Sequence, residues 1–143
     1  MDLQLDPASP VALYLQLSRQ VRRMIAIGAL RPGERLPTVR QLAADARVNR
    51  NTAARAIQHL ERDGLVRTRV GQGTFVAENG AGGQDPARSE SMMNEAIDRL
   101  LVEAHGAGVP LEELGWRLTR RIDAFQRERA AGEAASRDEE TPS

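Results

Sequence analysis

Thr38-Val39-Arg40-Gln41-Leu42-Ala43-Ala44-Asp45-Ala46-Arg47-Val48-Asn49-Arg50-Asn51-Thr52-Ala53-Ala54-Arg55-Ala56-Ile57-Gln58-His59-Leu60 is the stretch that decides the fold. Thr38 can cap a short helix from Val39 to about Ala46, with Leu42 and Ala43 turned inward. Val48-Asn49 is too short for anything but a tight connection. Asn49 can then cap a second helix from Arg50 to Asp63. Ala53, Ala56, Ile57 and Leu60 recur on it at helical spacing and form one apolar stripe. Gly64 is a natural stop for that helix. Two helices joined this tightly form a helix-turn-helix.

Working outward, a helix is expected upstream from about Pro10 to Ile27. Ser9 would be its cap, Pro10 its first residue, and Tyr14, Leu17, Val21, Met24 and Ile25 its apolar stripe. Gly28 ends it, and Arg31-Pro32-Gly33-Glu34 reads as a turn. Downstream, Leu65–Val70 and Thr74–Ala77 are β-prone and flank Gly71-Gln72-Gly73, so a hairpin is expected. The fold class read here is mainly α: three helices and a two-stranded wing make an N-terminal winged helix-turn-helix over residues 1–79.

Residues 80–90, with Gly80, Gly82, Gly83 and Pro86, read as a linker. Two further helices are expected over 91–129, broken at Gly106-Ala107-Gly108-Val109-Pro110. Residues 130–143 are small and charged and read as a disordered tail. Two helices cannot bury two apolar faces by themselves. Ile97, Leu100, Leu101, Leu114, Leu118, Ile122 and Phe125 therefore read as the seam of a homodimer, a short two-helix dimerisation tail. The alternative for this stripe is a small-molecule effector pocket, for which no residue pattern speaks.

The 143 residues carry no net charge, but the charge is unevenly spread. Residues 1–79 hold 12 arginines and 7 acidic residues, whereas 80–143 hold 8 and 13. A basic head and an acidic tail suggest a polyanion-binding module joined to something else. The second helix of a helix-turn-helix offers its N-terminal residues to the DNA major groove. Here these are Asn49-Arg50-Asn51-Thr52, with Arg55 and Gln58 further along. Arginine pairs bidentately with guanine, asparagine with adenine, and threonine hydrogen-bonds or touches a thymine methyl. Duplex DNA is thus the expected partner.

Other classes fit less well. No cysteine is present, so there is no disulfide framework and no thiolate metal site. His59 and His105 stand alone, and no nucleophile–base pair or phosphate loop is visible, so neither an enzyme, a metal nor a cofactor is expected. No apolar run reaches the ~18 residues of a membrane span, and the N-terminus has no signal-peptide pattern, so a cytoplasmic location is expected. A protein-binding module using the alanine-rich helix (Ala53, Ala54, Ala56) is the competing reading. A nonspecific DNA binder is another.

The ordered set Leu36-Pro37-Thr38-Val39-Arg40-Gln41-Leu42-Ala43, Asn49-Arg50-Asn51-Thr52, Leu60-Glu61-Arg62-Asp63-Gly64-Leu65-Val66 and Gly71-Gln72-Gly73-Thr74-Phe75-Val76 resembles the GntR family of bacterial regulators. The resemblance implies a dimeric repressor acting at an inverted-repeat operator. It implies that Arg40 contacts phosphate or a base edge, that Arg50, Asn51 and Thr52 contact bases and backbone, and that Gly71, Gln72 and Gly73 bring the wing to the minor groove. Many members have an arginine where this chain has Ala54; Arg55 lies about 100° round the helix from it and points to phosphate instead. Only 64 residues follow Asn79, too few for the larger effector domains of the family and in keeping with its YtrA-type branch.

Overall fold

The computed structural model describes residues 1–78 and 86–140. Five helices and one hairpin follow in order: α1 (Leu13–Ala26), α2 (Val39–Ala46), α3 (Arg50–Arg62), β1 (Val66–Arg69), β2 (Gly73–Val76), α4 (Pro86–Gly106) and α5 (Leu111–Glu140). The head is a winged helix-turn-helix, as its sequence implies.

The caps define the helix-turn-helix. Thr38 Oγ1 accepts from the Gln41 N–H at 3.1 Å, while Gln41 Oε1 accepts from the Thr38 N–H at 2.8 Å. Asn49 Oδ1 accepts from the Thr52 N–H at 2.8 Å. Between these caps Arg47 turns left-handed (φ 58°, ψ 45°), and the Val48 N–H reaches the Ala43 carbonyl at 3.0 Å. That single αL residue closes α2 and lets α3 start three residues later.

α1 packs along α3, and α2 packs on α3. The core joins Leu17 and Val21 of α1, Leu42, Ala43 and Ala46 of α2, Ala53, Ala56, Ile57 and Leu60 of α3, and Leu65, Val66 and Val76 at the base of the hairpin. Ala53 and Ala56 are fully covered, so their small size brings the helices close. They are internal, which removes the main support for a partner-binding α3. Leu3 is also buried. Its segment is strapped to α1 by Gln16 Nε2, which donates to the Asp6 and Val11 carbonyls at 3.0 and 2.8 Å. Nothing in the hydrophobic pattern signals that strap.

The wing pairs Val66 with Val76, Arg67 with Phe75, Thr68 with Thr74 and Arg69 with Gly73, antiparallel. Its outer edge is covered by residues 33–36. The Val76 N–H bonds the Glu34 carbonyl at 2.9 Å, and the Leu36 N–H the Thr74 carbonyl at 2.8 Å.

Three expected boundaries are corrected. α1 starts at Leu13 after Ala12, which makes no side-chain cap, and Ser9 Oγ instead accepts from the Val11 N–H at 3.2 Å in the preceding turn. The linker expected over 80–90 ends earlier, because Pro86–Glu90 already belong to α4. Proline suits a first helical position, where its missing N–H costs nothing. The tail expected to be disordered over 130–143 is helical through Glu140. Ala130, Ala131, Ala134 and Ala135 favour helix, and the segment also rests on the head. The linker expectation for 80–85 and the tail expectation for 141–143 lie outside the described residues.

The break between α4 and α5 stands where expected. Gly108 takes φ 71°, and the Val109 N–H bonds back to the Ala104 carbonyl at 2.9 Å. Ala104 is the buried residue of α4.

Candidate nucleic-acid interface

Residues 51, 55 and 58 fall on the face of α3 opposite its buried stripe, and they and Arg50, the first residue of the helix, are exposed. Arg50 and Asn51 open the helix, and Thr52 gives its backbone N–H to the Asn49 cap. Arg40, exposed, is the second residue of α2. Capping two helices within twelve residues thus sets Arg40 and Arg50 each at a helix N-terminus, where the peptide dipoles add positive potential.

Arg55 is placed differently from the other expected contacts. Its guanidinium carbon lies 4.0 Å above the centre of the Tyr14 ring, and Tyr14 meets His59 edge-on at 6.1 Å. Stacking uses the flat face of the guanidinium and leaves the in-plane N–H groups for an acceptor. Tyr14, read from sequence as part of the stripe of α1, also positions an arginine on α3. Its spacing could not show this, because the pair lies on different helices.

Gly71 and Gly73 shape the wing tip with φ of 76° and 125°. Gln72 stands exposed between them, and its N–H bonds the Arg69 carbonyl at 3.0 Å. A Cβ on Gly71 would meet nothing within 4 Å, whereas one on Gly73 would lie 2.8 Å from Arg35 Nε. Arg35 therefore lies across the wing backbone, and Arg69 lies over Phe75 at 5.1 Å. Arg35 is outside the expected contact set. Arg35 belongs to the loop before α2, and only the pairing of that loop with β2 brings it to the wing.

The ion pairs sort the arginines of the head. Arg22 is paired with Asp63 and Arg23 with Glu128. Among the described residues Arg40, Arg50, Arg35, Arg67 and Arg69 have no acidic partner. Two of the three α1 arginines are thus neutralised, Arg19 being the exception, whereas those five on the helix-turn-helix, the loop before it and the wing are not.

The expected dimer-seam residues are divided by the structure. Ile97 and Leu101 are 45% and 41% exposed on α4. Leu100, Leu114 and Leu118 line a cleft of about 360 Å³ between α4 and α5. Leu118, Ile122 and Phe125 line a second, about 380 Å³, facing Arg23 of α1. All seven keep apolar surface uncovered or only half-covered in the single chain. Among the described residues no group of His, Asp or Glu could hold a metal ion, and no helix is long and apolar enough to cross a membrane.

Comparison with known proteins bears on this geometry. The family model described as "Bacterial regulatory proteins, gntR family" matches residues 13–76, from the start of α1 to the end of the wing. The "HTH-type transcriptional repressor YtrA" of Bacillus subtilis is 37% identical over 112 residues, which cover 78% of this chain and 85% of that protein. An alignment of that length extends into the tail. A solved "YtrA from Sulfolobus acidocaldarius, a GntR-family transcription factor" superposes with a TM-score of 0.56 at 27% identity, covering 71% of this chain and 99% of that one. The structure "AraR(DBD) in complex with operator ORX1" matches with a TM-score of 0.50 at 32% identity, over 54% of this chain and 99% of that one. With the winged head, the two-helix tail and a relative matched along most of both chains, this chain belongs to the GntR family of bacterial regulatory proteins.

Proposed function

We propose that the protein is a sequence-specific DNA-binding transcriptional repressor that acts as a homodimer on an inverted-repeat operator. One observation carries this reading: Arg35, Arg40, Arg50, Arg67 and Arg69, on the helix-turn-helix, the loop before it and the wing, lack acidic partners among the described residues, while Arg22 and Arg23 of α1 have them. Unpaired arginines beside helix N-termini favour phosphate, and Arg50, Asn51 and Thr52 at the tip of α3 have the donors and acceptors to read base edges. Arg40 and Arg55 hold the backbone on either side, and Gly71-Gln72-Gly73 approaches the minor groove. The operator complex of the AraR domain supports the docking mode.

The uncovered face of α4 and α5 carries the second subunit. A twofold axis there places two α3 helices on half-sites about one helical turn, ~34 Å, apart. The protein has no catalytic step in this reading; it represses by occupying the promoter, in the cytoplasm. Residues 1–79 bind DNA and the tail from α4 onward pairs the heads.

A competition gel shift tests the reading. Fragments of the source genome compete against random duplex for the protein. Selective retention of a promoter fragment, lost when Arg40 and Arg50 are both changed to glutamate, is the expected result. Equal competition by random duplex sinks it.

A further inference from the structure

α5 runs past its contact with α4 and reaches the head. Gly132 lies against the carbonyl of Ile27, the residue that caps α1; a Cβ at Gly132 would fall inside the contact radius of that oxygen. Across the same crossing, a Cβ on Gly28 would lie 3.4 Å from Glu133 Cγ. One turn earlier Glu128 is ion-paired with Arg23 of α1. Glu128 and Gly132 are four residues apart on α5, hence on one face. Ile122 and Phe125 continue that face toward the cleft that Arg23 also lines. The contact is backbone against backbone, a closeness only glycine permits.

We propose that Gly132 and Glu128 are positioning residues: they dock α5 on α1, fix the head relative to the dimerisation tail, and so fix the half-site spacing the dimer accepts. The lever is continuous. α1 is packed on α3 through a shared buried core, and Arg22 of α1 holds Asp63, the C-cap of α3. Holding α1 therefore holds the recognition helix. This inference rests on the proposed DNA-binding dimer, but the docking itself can be measured without DNA.

Gly132→Ala is the test, because alanine is the better helix former and its only fault is the meeting with Ile27. Gly115→Ala is the matched control, since Gly115 is on the same helix and a Cβ there meets nothing within 4 Å. The chain has no cysteine, so spin labels at Arg19→Cys and Ala134→Cys report the α1–α5 distance in the full-length protein diluted with unlabelled chains. The parent and Gly115→Ala should give one narrow distance, and Gly132→Ala a broad one. Binding is then read on duplexes from a random-library selection, re-spaced by one to four base pairs. Affinity of Gly132→Ala for a single half-site should stay within about twofold of the parent, as for a change far from the contact face. The parent should accept one spacing and Gly132→Ala several. An unchanged distance in Gly132→Ala overturns the docking, and a broadened distance with unchanged spacing preference overturns the positioning role. Should the parent select no duplex at all, the DNA-binding reading fails and the spacing role falls with it, while the distances still decide whether α5 is docked.

Discussion

Single residues decide where the helices begin and how the wing turns. Asn49 is both the cap of α3 and the neighbour of Arg50, the first residue proposed to read bases, so its side-chain bond to the Thr52 N–H holds the end of the helix that would enter the groove. Asn49→Ala should cost about 1 kcal/mol of stability in urea denaturation. Arg50→Ala should leave stability almost unchanged and weaken specific binding by about 1–3 kcal/mol, relaxing preference at one base pair. The two wing glycines separate conformational from steric need. Gly71→Ala should cost about 1–2 kcal/mol through its positive φ alone, and Gly73→Ala more, because Arg35 must also move. Equal losses at both positions would refute the Arg35 contact.

At the scale of elements, the helix-turn-helix was legible because its cues are local. Thr38, Asn49 and Gly64 mark ends, and Leu42, Ala53, Ala56, Ile57 and Leu60 mark a face, within thirty residues. What escaped the sequence is long-range: Arg35 on the wing, Tyr14 beneath Arg55, Leu3 in the core, and the docking of α5. Composition misled over 130–140, where charged and small residues suggested disorder yet the alanines sustain a helix that gains contacts with the head. Leu60 is fully buried where α3 meets its neighbours, and Leu60→Ala should cost about 2–5 kcal/mol in thermal or chemical unfolding. A loss below 1 kcal/mol would show that the α3 stripe is not the centre of the core.

Over the whole molecule, charge and apolar surface divide the labour. The basic head faces a polyanion, and the tail exposes Ile97, Leu101, Leu118, Ile122 and Phe125, an apolar surface that a second subunit would cover. Changing Ile97 and Leu101 together to aspartate should convert the dimer to a monomer in analytical ultracentrifugation without unfolding the head, because neither residue is buried. The same variant should lose affinity for the paired operator and keep half-site binding. A dimer that survives it would place the interface elsewhere.

Whether α3 reads sequence as one half of a pair is decided by selection from a random duplex library followed by affinity measurement at two salt concentrations. An inverted repeat with half-sites about one helical turn apart should be recovered, with a preference over random duplex that persists at the higher salt. Recovery of no common sequence, with binding that is uniform across duplexes and collapses as salt rises, would mean that phosphate contacts alone hold the DNA and would contradict sequence reading by α3.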